Sequence, residues 1–264
     1  MSDSKHYNDY GTWIRSMFPF RVQKISINAG FSCPNRDGRI GQGGCIYCDN
    51  RTFNPSYCNS TSSIKAQLEE GKKFFSHKYP DMKFLAYFQA YTNTYESIDK
   101  LKRMYEEALS VEDVIGIVIG TRPDCVSDEL LDYLGHLNTQ TFITIEYGIE
   151  TANNNTLKLI NRGHDFECVK RIVSKTAEKG IITGGHIILG LPGEDSEEII
   201  RQTPLISALP INILKLHQLQ VIHGTKLEQM YKEHPFHLFS PDEYIELIGR
   251  YIKLLRKDIV IERF

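Results

Sequence analysis

The sequence predicts an α/β fold, a single domain built as a partial (β/α)6 TIM-like barrel. Three observations predict it. Six short apolar runs of strand character alternate with runs of helical spacing, which implies parallel strands joined by right-handed crossovers. No Gly-rich dinucleotide fingerprint follows the first strand, which weakens a Rossmann sheet as the alternative. No Ser/Gly-rich linker divides the chain, and 264 residues are enough for one large core. Periodicity alone does not separate a barrel from an open sheet; six units in one continuous run favour the barrel.

Residues 1–20 read as an N-terminal extension and 21–264 as the core with a C-terminal helix. Strands are predicted at 24–29, 84–88, 114–119, 142–147, 186–189 and 213–221. Helices are predicted between and after them, at 64–78, 98–109, 128–137, 166–179, 197–209 and 241–257. Ser127 precedes Asp128 and Glu129, which put negative charge at the positive end of the helix dipole. Asp195 with Glu198, and Ser240 with Pro241 and Glu243, fit capping-box spacing. In the last helix Tyr244, Ile245, Ile248, Tyr251, Ile252 and Leu255 are predicted to line one face. Six strands are expected to leave a slot on one side, wide enough for a macromolecular substrate.

Hydrophobic content of 41% and charged content of 24% are those of a globular chain, which excludes a disordered or fibrous protein. Residues 1–15 are polar, with no apolar stretch of a signal peptide, and no run reaches the roughly 20 apolar residues that span a bilayer. The expectation is a soluble, cytoplasmic protein with no membrane partner. In a reducing compartment, clustered cysteines point to metal binding or catalysis. The net charge of −2 gives no overall basic excess for gripping phosphates. Lys72–Lys73 and Lys170–Arg171 are read as solvated helix faces.

Six cysteines are present, and three stand in one loop after the first predicted strand: Cys33, Cys45 and Cys48. The loop runs CPNRDG and then GGCIYC, glycine-rich as a backbone wrapped closely round a ligand must be. It also lies at the C-terminal end of a strand, where barrels place their chemistry. Thiolates suit iron–sulfur clusters or zinc. Three ligands leave one iron of a cubane open to a cofactor; Cys58 as a fourth would instead close a structural zinc site. Spacing leaves both arrangements open. Cys125 and Cys168 are isolated and read as small buried residues.

The spacing Cys33-x11-Cys45-x2-Cys48, with Tyr47 before the last cysteine, resembles the cluster loop of radical S-adenosylmethionine enzymes, in the YhcC-like branch related to the radical domain of the elongator catalytic subunit. The resemblance extends through FQAYTNTY, GTRPDC, IEYGIET, NRGHD, GLPGE and HQLQVIHGT in order along the chain. It implies a [4Fe–4S] cluster on Cys33, Cys45 and Cys48. It implies S-adenosylmethionine as cofactor, cleaved by one electron to methionine and a 5′-deoxyadenosyl radical.

The resemblance also implies site residues. Tyr47 would lie by the adenine. Gln89, with Thr92, stands where many relatives carry Gly-Gly-Glu for the methionine amino group; a strand-capping role is the alternative. Glu150 would contact the cofactor and Glu146 the ribose or substrate. Arg162 matches an arginine that pairs with the methionine carboxylate, a task suited to a guanidinium fork. His186 matches a ribose contact, and Gly190 and Leu191 an adenine-side turn. His217 and Gln218 would face the substrate or pack.

For function, the resemblance implies radical chemistry on the C5 substituent of the tRNA wobble uridine, with an electron donor such as flavodoxin or ferredoxin. Radical chemistry on a small molecule or protein is the second reading. A non-catalytic zinc module that binds nucleic acid is the third, and it requires Cys58 as a ligand. The chain ends at Phe264 just after the apolar stretch 259–261, where a natural tail is expected to continue; intact mass spectrometry tests this.

Overall fold

In the computed structural model, which describes residues 6–49, 55–76 and 81–264, one parallel sheet curls into a half-barrel. Its eight strands are β1 (Asn8–Asp9), β2 (Arg21–Ile27), β3 (Met82–Phe88), β4 (Val114–Thr121), β5 (Phe142–Glu150), β6 (Ile182–Leu189), β7 (Ile213–Gln218) and β8 (Val260–Arg263). They run in the order β1-β8-β7-β6-β5-β4-β3-β2. The six predicted strands are β2 to β7, and two short strands extend one edge. β8 grows from the apolar stretch 259–261, whereas β1 has only two residues, too few for any periodic signal.

The helices are α1 (Tyr10–Met17), α2 (Ile64–Ser76), α3 (Ile98–Leu109), α4 (Asp128–Asn138), α5 (Asn154–Leu159), α6 (Phe166–Glu178), α7 (Ser196–Ser207), α8 (Lys226–Glu233) and α9 (Pro241–Leu254). Residues 77 and 78, the end of the predicted helix 64–78, and residues 1–5 of the N-terminal extension lie outside the described residues. Among the described residues, no helix is long and apolar enough to cross a membrane.

Strand alternation sorts the two faces of the sheet. Ile25, Ile27, Phe84, Ala86, Phe88, Ile143, Ile145, Tyr147, Leu214 and Leu216 belong to the main core shared with the helices. Each such fully buried Ile, Leu or Phe stabilises by roughly 1.5–3 kcal/mol relative to exposure. The alternate residues Leu85, Tyr87 and Val118, with Val22 and Phe142, form a second, smaller cluster. Farther along the strands on that same side, the residues become charged: Lys24, Glu146, Lys215 and Glu262 meet in one ion network.

That network closes the half-barrel. Lys24 of β2 and Glu262 of β8 have five strands between them in the sheet, yet Lys24 Nζ lies 2.6 Å from Glu262 Oε1. Helix α1 touches both β8 and β2, and Lys24 Nζ stands 4.7 Å from the Tyr10 ring centroid. The expected slot is therefore spanned by side chains and flanked by a helix at this height, because the inward positions of β2 and β8 carry opposite charge.

Helix starts follow the predicted chemistry. Ser127 Oγ accepts from the Leu130 amide at 3.2 Å and Asp195 Oδ1 from the Glu198 amide at 2.7 Å. Both halves of the Ser240–Glu243 capping box are made. One assignment in that helix is corrected. Ile245 is 68% exposed, and the buried face is Tyr244, Leu247, Ile248 and Tyr251, because the stripe is rotated by part of a turn toward Leu247. The basic pairs on α2 and α6 are matched by acids on their own helices: Lys72 with Glu69, Lys73 with Glu70, and Lys170 with Glu167.

Candidate cluster and cofactor site

The cysteine loop leaves the C-terminal end of β2 and folds back through a series of backbone bonds. The Cys33 carbonyl accepts from the Arg36 and Asp37 amides at 2.8 and 3.2 Å, and the Pro34 carbonyl from the Ile40 amide at 2.9 Å. The Gly44 amide donates to the Asn35 carbonyl at 2.8 Å, and the Cys48 amide to the Cys45 carbonyl at 3.1 Å. Gly44 has φ of +82°, a conformation that side chains rarely adopt, so glycine is required where the loop turns into Cys45.

A second loop, residues 161–165 after α5, locks the first in place. The Ile46 amide donates to the Ile160 carbonyl at 3.1 Å, and Asn161 Nδ2 to the Gly44 carbonyl at 2.8 Å. Asn35 Nδ2 returns a bond to the Asn161 carbonyl. Arg36 Nη2 donates to the Cys48 carbonyl at 2.8 Å. These bonds form a frame between two segments more than a hundred residues apart.

Arg162 stands at the centre of this frame, 7% exposed rather than on the surface. Its Nη2 donates to the Gly148 carbonyl at 2.7 Å and lies 3.3 Å from Glu150 Oε1; its Nη1 lies 3.6 Å from Cys45 Sγ. Burial opposes its charge, but Tyr47, Glu150 and Cys45 around it hold the guanidinium well above its ordinary pKa. Glu150 has φ of +68° at the end of β5, where the register with β6 shifts. Burial, with Cys45 and Glu150 adding, keeps the Tyr47 phenol well above its usual range. Cys33, Cys45, Cys48, Tyr47, Glu150 and Arg162 are thus gathered at one end of the barrel.

The Cys48 thiol feels the other two loop cysteines. Burial raises the Cys48 thiol first, and negative charge on Cys45 and Cys33 raises it further, against the pull of Arg36. Cys58 is elsewhere: buried beside the Asn28 backbone, its thiol is pushed up to about 11 by burial. Cys125 and Cys168 are half-buried rather than buried.

The remaining predicted residues occupy other positions. Gln89, just past β3, accepts from Ser26 Oγ at 2.8 Å. Glu146 lies four residues before Glu150 on β5, roughly 13 Å deeper by strand rise. There its carboxylate is fully buried among Lys24 at 2.9 Å, Lys215 at 2.7 Å and His186 at 3.0 Å. His186 also bonds His217, Nδ1 to Nε2, at 3.2 Å. Burial and His186 bring the His217 pKa down to about 3. Gly190 follows β6 beneath the Phe239 ring, and Leu191 is buried in the main core. Gln218 Nε2 donates to the Phe239 carbonyl at 2.7 Å.

Sequence reading gave no role to Asn35, Arg122 or His164. Arg122, 2% exposed, forks onto Asp124 at 2.9 and 2.8 Å and donates to the Arg162 carbonyl at 2.7 Å. Burial and the neighbouring Arg162 bring the His164 pKa down to about 3. All three lie inside the motifs CPNRDG, GTRPDC and NRGHD, so the motifs marked them although their partners were not readable.

Gly148 offers a direct test of the frame. A Cβ there would stand 2.4 Å from Arg162 Nη2 and 2.5 Å from Glu150 Oε1, both pinned side chains. Gly148→Ala is expected to keep the circular-dichroism spectrum and to lower iron retained after reconstitution at least several-fold; wild-type retention would contradict the frame.

Comparison with known proteins follows the same outline. The Radical SAM superfamily profile matches residues 33–201, and the Radical SAM C-terminal domain profile matches residues 211–264. YtqA of Bacillus subtilis is 34% identical over 259 residues, covering 98% of this chain and 80% of that protein. YhcC of Escherichia coli is 33% identical over 264 residues, covering 100% of this chain and 84% of that protein. The tRNA uridine(34) acetyltransferase of Methanocaldococcus infernus is 26% identical over 159 residues, covering 57% of this chain and 29% of that protein. Among solved structures, Elp3 of Methanocaldococcus infernus superposes with a TM-score of 0.66 at 19% identity. This chain is covered to 93% and spans 56%, a little over half, of that one. The fold is therefore shared with Elp3, and the profile that begins at Cys33 runs through the half-barrel: the chain belongs to the radical SAM superfamily, together with YhcC and YtqA.

Proposed function

We propose that the chain holds a [4Fe–4S] cluster on Cys33, Cys45 and Cys48, cleaves S-adenosylmethionine, and acts on the C5 substituent of the wobble uridine of tRNA. Membership of the family implies both cofactors. The residues present fit them. Three thiols share one loop, and buried polar atoms without a protein partner stand around it: Asn35 Oδ1, Arg122 Nη1, Arg162 Nε and His164 Nε2. Such atoms cost free energy unless a ligand or water meets them. Among the described residues, no group of three or more His, Cys, Asp or Glu side chains is placed to hold a metal ion.

When bound, the cluster and S-adenosylmethionine supply one-electron cleavage to methionine and a 5′-deoxyadenosyl radical. This chain's residues bind and orient. Arg162 and Glu150 form a paired cation and anion beside the cysteine loop, suited to the carboxylate and amino group of the methionine part. Tyr47 would flank the adenine, Gln89 would offer an amide from the end of β3, and Gly190 and Leu191 would shape the adenine side. Glu146 would act on the ribose or substrate through His186, since its own oxygens are taken by lysines and that imidazole. The enclosure of the cysteine loop by Arg162, Glu150 and Asn35 is the observation that carries this reading.

Two supports favour tRNA. A relative named for tRNA uridine 34 shares the region, although over part of each chain. At the rim, Arg36 lies over Tyr91 and Arg39 over Tyr95, at 5.8 and 5.6 Å, and stacked Arg–Tyr pairs suit unpaired bases. A reductant such as flavodoxin or ferredoxin would supply the electron. The test is nucleoside mass spectrometry of tRNA after incubation with reconstituted enzyme, S-adenosylmethionine and a reductant. A mass change confined to the wobble uridine is expected. Release of 5′-deoxyadenosine with every tRNA nucleoside unchanged would move the substrate to a small molecule or protein.

A further inference from the structure

Two side-chain donors converge on one sulfur of the cysteine loop. Arg162 Nη1 and Asn35 Nδ2 each lie 3.6 Å from Cys45 Sγ, within reach of an N–H···S bond. Neither donor is free to swing. Arg162 is fixed by the Gly148 carbonyl at 2.7 Å and Glu150 at 3.3 Å, and Asn35 by the Asn161 carbonyl. The Asn35 amide can point only one way, because both of its neighbours, a carbonyl and a sulfur, are acceptors. Asn35 is 1% exposed, Arg162 7% and Cys45 7%, so water does not screen these bonds.

We propose that Arg162 and Asn35 set the reduction potential of the cluster through Cys45, raising it. The inference rests on the three-cysteine cluster proposed above and deepens it. An added electron spreads partly onto the thiolate sulfurs. A donor N–H aimed at such a sulfur stabilises the reduced form more than the oxidised form, and so does a positive charge in a low-dielectric surrounding. Asn35 supplies the first effect alone, and Arg162 supplies both. Glu150 works against them, since its carboxylate partly neutralises the same guanidinium at 3.3 Å.

This arrangement predicts shifts of opposite sign from one ion pair. Removing the Arg162 charge makes the cluster harder to reduce, and removing the Glu150 charge makes it easier. A guanidinium serving only as a strut between β5 and the loop would give neither pattern. Arg162 and Asn35 are positioning residues in this respect: they touch a ligand of the cluster and act on its electrons through that sulfur.

The experiment is a potentiometric titration of anaerobically reconstituted protein without S-adenosylmethionine, with the reduced cluster followed by electron paramagnetic resonance and iron counted in every sample. At the wild-type midpoint, Arg162→Gln is expected to lower the reduced-to-oxidised ratio about tenfold, equivalent to about 59 mV for one electron. Asn35→Ala should shift the same way by less, and Glu150→Gln the opposite way. Arg162→Lys, which keeps the charge without the fork, should fall between wild type and Arg162→Gln, and serves if the glutamine variant folds poorly. Cluster-loaded variants that titrate at the wild-type midpoint overturn the proposal and leave the cluster intact. Wild-type protein that never takes up four irons overturns the cluster itself, and the two failures are told apart by the iron count.

Discussion

Cys45→Ala is expected to leave the fold standing and to abolish loading of four irons, as are Cys33→Ala and Cys48→Ala. In the proposed site each of the three would supply one thiolate, from a loop whose shape is fixed by backbone bonds, not by the sulfurs. The Arg36 and Asp37 amides still reach the Cys33 carbonyl, and Asn161 still reaches Gly44, when a thiol is removed. Cys58→Ser should behave as wild type. Its thiol is buried beside the Asn28 backbone and pushed up to about 11 by burial, and it is not among the thiols that act on Cys48. The check is iron and sulfide per chain after anaerobic reconstitution, together with the thermal transition of each variant. Loss of metal in Cys58→Ser, with zinc in place of iron in the wild type, would turn the loop into a closed structural site.

Glu146→Gln is expected to be the most destabilising single exchange in the barrel interior. Its carboxylate is completely buried, with Lys24 at 2.9 Å, Lys215 at 2.7 Å and His186 at 3.0 Å. The amide would leave Glu262 as the remaining anion for both lysines, at 2.6 and 3.3 Å. Breaking a buried ion network by removing one partner costs about 3–5 kcal/mol, because a charge is left without compensation. In a domain of this size that is a fall in Tm on the order of 10 °C. The pH dependence has a definite sign. Burial alone would raise the Glu146 pKa, but Lys215, Lys24 and His186 more than reverse this and hold it well below the ordinary 4.5. A folded-state pKa below the unfolded value gives stability that is complete above the unfolded pKa and lost as pH falls through the folded one. The gap in Tm between wild type and Glu146→Gln should therefore be constant near neutrality and narrow below about pH 4.5. A variant with an unchanged Tm at pH 7 would contradict the network's role in closing the half-barrel.

These two sites differ in how far the sequence revealed them. The cysteine loop was legible because its three cysteines lie within sixteen residues and its glycines mark a tight wrap. Strands β2 to β7 were legible because each carries a short apolar run, and the helices because caps such as Ser127, Asp195 and Ser240 announce them. The network round Glu146 was not, because it depends on register between distant strands. Lys24 and Glu262 are 238 residues apart, and nothing local marks either as inward-facing. The same cause explains Asn35. Its motif was visible, but its aim at Cys45 is set by the loop after α5, which packs across the cysteine loop only in the folded chain. β1, α1, α5 and α8 were missed for a simpler reason: two to eight residues give little periodic signal. Ile245 shows the limit of the helical stripe, since a small rotation of the stripe moves an apolar side chain at its border from core to solvent.

The most direct test of the account is formation of 5′-deoxyadenosine by the anaerobically reconstituted wild-type protein, given S-adenosylmethionine and dithionite and followed by liquid chromatography. Release that requires reductant and vanishes in Cys33→Ala, Cys45→Ala and Cys48→Ala is the predicted result. A protein carrying four irons that leaves S-adenosylmethionine intact, with tRNA present as well as without it, would contradict the central claim.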